Sequence, residues 1–284
     1  MRAAPLLSLQ ALDTLWLQTG TACNLSCPFC HEGSAPGDTR LPAMDYDHAC
    51  QAIDAALALG VQRFAFTGGE PLIHRDILRI LEYALAHRPA LVLTNGTAPL
   101  IRRPHHLQRL RATPQPLQFR VSIDYPDEAR HDAGRGLRNF RKALQGLALL
   151  HQAGFAVGIT RRLEPGEDSA GVEARFRTLL ARHGLPPDLP LVALPELGPL
   201  HATDLPAYAC ETPPPPLCTG SRTVCMHEGH LAYLPCPLVD DDPRFALPGP
   251  LQQACATPVA AAHPRCAQCL TIGVPSFPAP HKGS

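Results

Sequence analysis

Residues 23–30 read Cys-Asn-Leu-Ser-Cys-Pro-Phe-Cys and directly follow a predicted first strand, 14–19. Three thiolates at this spacing, from Cys23, Cys27 and Cys30, can hold three corners of a 4Fe-4S cluster, because cysteine sulfur is the soft ligand that such clusters need. The fourth iron is then left open. Structural zinc needs four closed ligands, and the spacing is too short and rigid for a disulfide framework. The stretch therefore predicts an iron-sulfur cluster with one open coordination position.

A second motif, Thr67-Gly68-Gly69-Glu70-Pro71, ends the next predicted strand. Together with the aromatic Phe29 before the third cysteine, it makes the chain resemble the radical S-adenosylmethionine (radical SAM) enzyme superfamily, from about Leu15 to Cys269. The resemblance implies that the open iron chelates the amino and carboxylate groups of SAM. It further implies that reductive cleavage of SAM gives a 5'-deoxyadenosyl radical, which abstracts a hydrogen atom from the substrate.

The composition limits the classes of partner and the compartment. The 284 residues allow one large domain or one and a half, and 25 Lys and Arg balance 25 Asp and Glu. Zero net charge gives no support for a nucleic-acid or anionic-membrane partner, which would need a basic excess. No apolar run reaches the ~20 residues of a membrane span, and the N-terminus lacks a signal-peptide hydrophobic region, so we expect a cytoplasmic protein. Eleven cysteines in that reducing compartment favour metal binding or catalysis over disulfides.

Apolar periodicity predicts strands that alternate with helices through most of the chain. The predicted strands are 14–19, 61–66, 91–93, 117–123, 155–160 and 189–194, and the predicted helices are 45–59, 76–87, 105–111, 137–152 and 169–183. Such alternation requires right-handed crossovers and a parallel sheet, and therefore an α/β fold. Six repeats suit an incomplete barrel, which matches the partial (β/α)6 barrel of radical SAM enzymes. All strands then end at one rim, where α/β barrels carry their chemistry.

The resemblance assigns cofactor-binding roles to residues at this rim. Gly68 and Gly69 lack a Cβ, so their backbone can approach the methionine amine closely, and Glu70 fixes the turn or binds the ammonium. Arg161 offers a fork for the carboxylate of SAM. The remaining predicted contacts are Phe29 near the adenine, Asn95 in a Thr-Asn-Gly turn, and Ser122 and Asp124 near the ribose or the methionine carboxylate. The alternative for Ser122 and Arg161 is that they are ordinary polar residues at the mouth of the barrel, without contact to the cofactor. The sequence assigns no catalytic residue.

A proline run, Pro213 to Pro216, marks the predicted boundary between a barrel domain, 1–205, and a cysteine-rich domain, 206–284. Six of the eleven cysteines lie after the proline run, together with a predicted hairpin, 222–227 with 230–234. A segment with so few core-forming residues needs a bound metal to stabilise its fold. Four of its cysteines resemble the ligands of the single auxiliary 4Fe-4S cluster in twitch-type domains, shortened relatives of SPASM domains: Cys218, Cys236, Cys266 and Cys269.

Two alternatives stay open for the C-terminal region. A structural zinc ribbon would be satisfied equally well by four cysteines. Cys225 or Cys255 can replace one of the four ligands if the hairpin register differs, and Cys210 can reach the site without motif support. The sequence therefore predicts a bound metal here without fixing its identity or its complete ligand set.

The predicted function is that of a radical SAM enzyme that oxidises or forms a bond in an undetermined small molecule or peptide. Only about a dozen residues precede the first strand, so we expect no N-terminal peptide-recognition domain, which favours a small molecule or a peptide presented by another protein. An electron donor such as flavodoxin or ferredoxin is implied. The competing hypothesis is a non-catalytic, cysteine-rich metal-binding or electron-transfer protein, which would need neither a Gly-Gly-Glu turn nor an open iron.

Overall fold

The computed structural model describes residues 4–198, 205, 215–240 and 242–272. Within them the strands are β1 (Leu6–Leu7), β2 (Thr14–Gln18), β3 (Arg63–Thr67), β4 (Ala90–Thr94), β5 (Leu117–Ser122), β6 (Ala156–Leu163), β7 (Leu191–Pro195), β8 (Ser221–His227), β9 (His230–Leu234) and β10 (Val259–Ala260). The helices are α1 (Tyr46–Ala58), α2 (Ile77–His87), α3 (Ala98–Ile101), α4 (Pro104–Arg111), α5 (Glu128–Arg135), α6 (Asn139–Gln152), α7 (Ser169–Arg182), α8 (Leu251–Ala256) and α9 (Pro264–Ile272). None of these helices is long and apolar enough to cross a membrane.

The strands β2 to β7 lie side by side in chain order and pair in parallel. At least one helix connects each strand to the next, which is the right-handed crossover arrangement of a wound parallel sheet. Among the described residues the full order is β7-β6-β5-β4-β3-β2-β8-β9, with β7 and β9 at the edges. The predicted α/β fold with a parallel sheet is confirmed, and the carboxyl ends of its six consecutive strands share one rim.

Helices cover the outer face of the sheet through apolar stripes. The carboxylate of Asp45 accepts a hydrogen bond from the backbone N–H of His48 (2.9 Å) and thereby begins α1, as the sequence predicts. The fully buried rings of Phe64, Phe66 and Phe119 fill the layer between strands and helices. Burying each such ring contributes roughly 2–3 kcal/mol, so this layer supplies much of the stability that holds the rim in place.

The opposite face of the sheet forms the interior of the barrel. Trp16, Ala65 and Leu91 pack there in a small separate apolar cluster, with Leu93 half-buried against it. Because successive strand residues alternate between faces, the next inward-pointing positions lie closer to the rim and become polar, such as Arg120 and Ser122. The interior therefore has an apolar floor and a polar mouth.

The region after the proline run extends the barrel sheet. The predicted hairpin is confirmed as β8 paired antiparallel with β9, and its turn residues Glu228 and Gly229 both have positive φ angles, 48° and 83°. The other edge of β8 pairs in parallel with β2. The boundary predicted at 205 and 206 adjoins residues outside the described part, so the two-domain division stays a prediction, whereas the sheet runs on across it.

Two differences from the predicted elements matter for the site. Strand β6 continues to Leu163, so Arg161 and Arg162 lie inside the strand rather than after it. Helix α5 is not predicted, because its sequence Glu-Ala-Arg-His-Asp-Ala-Gly-Arg has no apolar stripe and buries only His131 and Asp132. The helix nevertheless lies directly beside the mouth of the barrel.

Candidate active site

A cavity of about 230 Å³ opens at the rim where the parallel strands end. Residues of every strand from β2 to β7 and of the following loops line it. The predicted site residues that line it are Cys23, Cys27, Phe29, Cys30, Gly68, Gly69, Asn95, Ser122, Asp124 and Arg161. Glu70 is the one predicted member of this site that lies behind the wall. The topology thus brings together motifs that are far apart in the sequence.

Backbone hydrogen bonds fix the loop that carries the first three cysteines. Cys23 donates its N–H to the carbonyl of Ala35 (3.1 Å), and Cys30 donates to the carbonyl of Cys27 (3.0 Å). Burial raises the pKa of the Cys23 thiol to about 12, and the nearby Glu70 adds to that rise. Burial also raises the pKa of the other two thiols. Three enclosed soft donors that resist ionisation on their own fit a cationic iron cluster, because the metal charge stabilises the thiolates.

The two glycines of the second motif allow the chain to cross the cysteine loop at close range. Gly69 donates its N–H to the carbonyl of Gly20 (2.9 Å), and Glu70 donates to the carbonyl of Ala22 (3.1 Å). A Cβ on Gly69 would lie 2.2 Å from the carbonyl oxygen of Ala22, and Gly68 has a φ of +143°. The missing side chains are therefore required where the turn meets the residue before Cys23.

The carboxylate of Glu70 is used to fix this turn. Its Oε1 accepts hydrogen bonds from the backbone N–H of Leu72 (3.0 Å) and the hydroxyl of Thr94 (2.8 Å). Its Oε2 accepts from the backbone N–H of Asn95 (2.7 Å). Burial raises the pKa of this carboxyl, while the three donors oppose the rise. Of the two roles predicted for Glu70, the observed contacts are those of the first, since the side chain ties β3 to the end of β4.

Asn95 contacts the cysteine loop through its side chain. Its Nδ2 donates to the side-chain oxygen of Asn24 (3.0 Å) and approaches the Sγ of Cys23 at 3.9 Å. Its Oδ1 accepts from both the backbone N–H and the hydroxyl of Thr97. The Thr97 hydroxyl in turn accepts from Asn24 (3.0 Å). This closed network holds the first cysteine against the end of β4.

Helix α5 adds two residues that the sequence analysis misses, the partly buried Arg135 and the buried His131. Arg135 makes a bidentate ion pair with Asp124, at 2.5 Å and 2.9 Å, and its charge lowers the pKa of both Cys27 and Cys30. His131 accepts the backbone N–H of Asp124 at its Nδ1 (3.2 Å). The available signal was the helix N-cap at Asp127, three residues after the Ser-Ile-Asp strand end.

Phe29 packs between cationic side chains and the helix backbone. The guanidinium carbon of Arg162 lies 4.4 Å from its ring centroid, and that of Arg135 lies at 5.6 Å. A Cβ on Gly134 would lie 2.3 Å from the ring, so this glycine lets the ring rest on α5. Phe29 therefore lines the cavity with an aromatic ring, and contacts with the two arginines and with the backbone of α5 hold that ring in place.

Arg161 lines the cavity but uses its guanidinium within the protein. Its Nη1 donates to the carboxylate of Glu167 (2.5 Å) and to the carbonyl of Arg162 (3.0 Å), whereas its Nε is buried without a hydrogen-bond partner. Ser122 is half-buried and pairs with Thr160 across the rim. Arg135 is thus a better-placed cation than Arg161 next to the cysteines.

The four C-terminal cysteines meet at a second, smaller cavity. Cys218, Cys236, Cys266 and Cys269 line it together with apolar side chains such as that of Leu238. Burial raises the pKa of each thiol whose shift is resolved, to about 11 for Cys266, and their mutual repulsion adds to the rise. Four enclosed soft donors again fit a metal centre, and both an iron-sulfur cluster and zinc accept this donor set.

The other cysteines near this region do not line the second cavity. Cys225 is buried on β8 beside Asp240, and Cys255 lies on α8 near Arg222. Cys210 falls outside the described residues. In the part of the chain that the structure describes, no three His, Cys, Asp or Glu side chains are drawn together at chelating distance. The thiols of each set therefore share a cavity rather than a closed coordination sphere.

Sequence comparison relates the chain to proteins of known activity. The Radical SAM superfamily matches residues 17–174. The AdoMet-dependent heme synthase of Nitratidesulfovibrio vulgaris is 33% identical over 140 residues, which cover 47% of this chain and 36% of that protein. The mycofactocin maturase MftC of Mycobacterium tuberculosis is 32% identical over 170 residues, which cover 57% of this chain and 40% of that protein. The chain thus spans less than half the length of these curated relatives.

Structural comparison finds the same fold in a protein of low sequence identity. The crystal structure of Streptococcus suis SuiB bound to S-adenosylmethionine matches with a TM-score of 0.58 and 16% identity. The match covers 71% of this chain and 45% of SuiB. At this identity the likeness concerns the architecture, which is the partial barrel described above.

Proposed function

Since the chain belongs to the radical SAM superfamily, whose members use a 4Fe-4S cluster and SAM, we propose that it cleaves SAM reductively and abstracts a hydrogen atom from a substrate. The observation that carries the proposal is the convergence of Cys23, Cys27 and Cys30 with the Gly-Gly turn and the Asp124–Arg135 pair around one cavity. A protein that only stored metal or carried electrons would need no such arrangement of charged groups beside three cysteines.

In this proposal the three N-terminal cysteines hold the cluster that binds SAM. When both are bound, the cofactors supply a one-electron cleavage that yields a 5'-deoxyadenosyl radical. The protein then has to orient SAM and the substrate and to exclude side reactions. The Glu70 and Asn95 networks serve the first task by fixing the cysteine loop, and the apolar floor around Trp16 serves the second.

The amino-acid moiety of SAM carries a carboxylate and an ammonium, and the cavity presents a complementary pair. We assign the carboxylate to Arg135, whose side chain lies beside Cys27 and Cys30, and the ammonium to Asp124. Ser122 and the backbone of Gly68 and Gly69 supply further polar contacts. Arg161, held by Glu167, is assigned the supporting role of shaping the cavity wall.

The four C-terminal cysteines are proposed to hold an auxiliary 4Fe-4S cluster. Leu238 lines both their cavity and the rim cavity where we place SAM, called the SAM cavity below. A second cluster that shares a lining residue with the SAM cavity is suited to accept or supply an electron during turnover. A structural zinc remains the alternative that the same four thiols would accept.

A peptide substrate is favoured by two relatives. MftC is named as a maturase, and SuiB has been crystallised bound to the precursor peptide SuiA. The heme synthase relative favours a small molecule instead, which is the second candidate. For either substrate we propose a low-potential one-electron donor such as flavodoxin or ferredoxin.

Anaerobic reconstitution tests these assignments. We expect about eight irons and a matching amount of sulfide per chain, an absorption spectrum that SAM alters, and 5'-deoxyadenosine after addition of dithionite and SAM. Binding of two zinc ions without sulfide, or failure to form 5'-deoxyadenosine, would refute the assignment as a radical SAM enzyme.

A pair of variants separates the two cysteine sets. Cys218→Ala should remove about half of the iron, and saturating SAM should still alter the spectrum of the remaining cluster. Cys225→Ala, which replaces a buried cysteine outside both cavities, should keep all of the iron. An unchanged iron content in Cys218→Ala would move the second cluster elsewhere.

A further inference from the structure

Arg265 occupies a central position between the two cysteine sets. It lies at the start of α9, immediately before Cys266, and only 1% of its surface is exposed. Its guanidinium donates hydrogen bonds to the backbone carbonyls of His31 (2.7 Å), Leu238 (2.9 Å) and Leu197 (3.1 Å). One side chain thereby contacts three segments that are distant in sequence.

Each of these segments belongs to one or both cavities. His31 directly follows Cys30, and Leu197 follows β7; both line the SAM cavity. Leu238 lies two residues after Cys236 and lines both cavities. Two of the three carbonyls therefore belong to residues of the SAM cavity alone and the third to the residue that lines both cavities, and Arg265 holds all three from the side of α9.

The chemistry of arginine suits this position. A guanidinium presents five N–H donors in a rigid planar fork, so it can satisfy carbonyls that approach from three directions. A lysine offers a single nitrogen on a flexible chain and cannot reach all three at once. Removing the fork would leave buried carbonyls without donors, which native proteins rarely tolerate.

A second buried arginine shows what a purely local role looks like. Arg222 on β8 is fully buried and donates to the carbonyls of Cys218 (2.7 Å), Ser221 (2.8 Å) and Ala254 (3.1 Å). All of these partners lie in the C-terminal region. Arg222 therefore supports the auxiliary set alone, whereas Arg265 links that set to the rim cavity.

We propose that Arg265 is a positioning residue that couples the two cysteine sets, so that a cluster on the C-terminal set fixes the loop at His31 and strengthens SAM binding at the N-terminal set. The proposal rests on the proposed function, because it takes both sets as cluster ligands. The physical link is rigid: ligation of Cys266 holds α9, α9 holds Arg265, and Arg265 holds the residue after Cys30. Such coupling is reciprocal, so SAM should also favour occupation of the auxiliary set.

A double-mutant cycle with the SAM dissociation constant as its readout tests the coupling. The four proteins are the wild type, Cys218→Ser, Arg265→Lys and the double variant, each titrated with SAM anaerobically by the spectrum of the N-terminal cluster. We expect Cys218→Ser to weaken SAM binding about ten-fold in the wild-type background and by less than two-fold in the Arg265→Lys background. Equal effects in both backgrounds, or no effect of Cys218→Ser, would overturn the proposal.

The control cycle uses Arg88 in place of Arg265, because Arg88 donates to the carbonyls of Val61 (2.9 Å) and His87 (3.0 Å), neither of which lines either cavity. In the Arg88→Lys background Cys218→Ser should keep its full effect on SAM binding, and loss of the effect there as well would overturn a specific role for Arg265.

Hydrogen–deuterium exchange gives a measurement on proteins with native Arg265, in case Arg265→Lys does not fold. The backbone amides of residues 31–34 should exchange faster in Cys218→Ser than in the wild type, and unchanged exchange would overturn the coupling. The iron and sulfide content of the wild type, together with its SAM binding, distinguishes failure of the proposed function from failure of the coupling proposal. A wild type without a second cluster, or one that does not bind SAM, contradicts the proposed function, whereas two clusters with additive effects contradict only the inference.

Discussion

Replacing Gly69 by alanine is expected to push the Gly-Gly turn away from the cysteine loop. The new Cβ would lie 2.2 Å from the carbonyl oxygen and 2.5 Å from the carbonyl carbon of Ala22, and 2.6 Å from the carbonyl oxygen of Thr21. All three are backbone atoms, so no side chain can rotate out of the way. Relief requires a displacement of roughly 1 Å at the residue before Cys23.

The loss of stability in Gly69→Ala follows from the interactions that this displacement disrupts. It stretches the two backbone hydrogen bonds from Gly69 to Gly20 and from Glu70 to Ala22, each contributing about 1 kcal/mol. Residual overpacking adds about 1–3 kcal/mol. Alanine also lowers the conformational entropy of the unfolded chain, which stabilises the folded protein by about 0.5–1 kcal/mol. This gain applies here since Gly69 does not have a positive φ, which alanine would resist. The free energy of unfolding should therefore fall by about 2–4 kcal/mol.

The assay combines urea unfolding of the reduced apoprotein with anaerobic iron loading. Gly69→Ala should lower the urea concentration at the unfolding midpoint and should lower the melting temperature by about 10 °C. The variant should also bind less of the iron whose spectrum responds to SAM. The matched control is Gly220→Ala, where the Cβ would meet only the flexible carboxylate of Asp13 at 3.3 Å. Equal midpoints for the two variants, with full SAM-responsive iron in both, would refute the steric reasoning.

Three further outcomes are expected. Asp124→Ala should lower the free energy of unfolding by about 3–5 kcal/mol, because it leaves the charge of Arg135, whose side chain is only 15% exposed, without its partner. Glu196→Ala, which breaks a more exposed ion pair with Arg162, should cost under about 1 kcal/mol in the same urea titration. Burial lowers the pKa of His131 to about 4, so the folded protein binds fewer protons than the unfolded chain below pH ~6.5, and the stability should fall as the pH drops from there toward 4; His131→Asn should flatten that slope. Cys50→Ser, which touches neither cavity, should leave the iron content and the melting temperature unchanged.

Features set by neighbouring residues could be predicted from the sequence. The N-cap at Asp45 and the tight turn at Glu228 and Gly229 depend on one to four residues of local chemistry, and both are confirmed. The convergence of the cysteine loop and the Gly-Gly turn also follows from local signals, because parallel strands must end at a common rim. Recognising the strands was therefore enough to assemble most of the cavity.

Features that depend on distant contacts could not be predicted. Helix α5 has no apolar stripe, since it is held by capping at Asp127 and by the ion pair of Arg135 rather than by a hydrophobic face. The role of Arg265 depends on carbonyls up to 234 residues away, and a carbonyl leaves no trace in the sequence. Likewise, the hairpin is visible locally, whereas the pairing of β8 with β2 is not.

That last pairing constrains how the chain can be made. β2, the strand that leads into the first cysteine, obtains one hydrogen-bonded neighbour from β3 and the other from β8, about 200 residues later. During synthesis its second edge has no partner until β8 has left the ribosome, and exposed strand edges invite aggregation. Expression of the protein cut before β8 should therefore yield inclusion bodies.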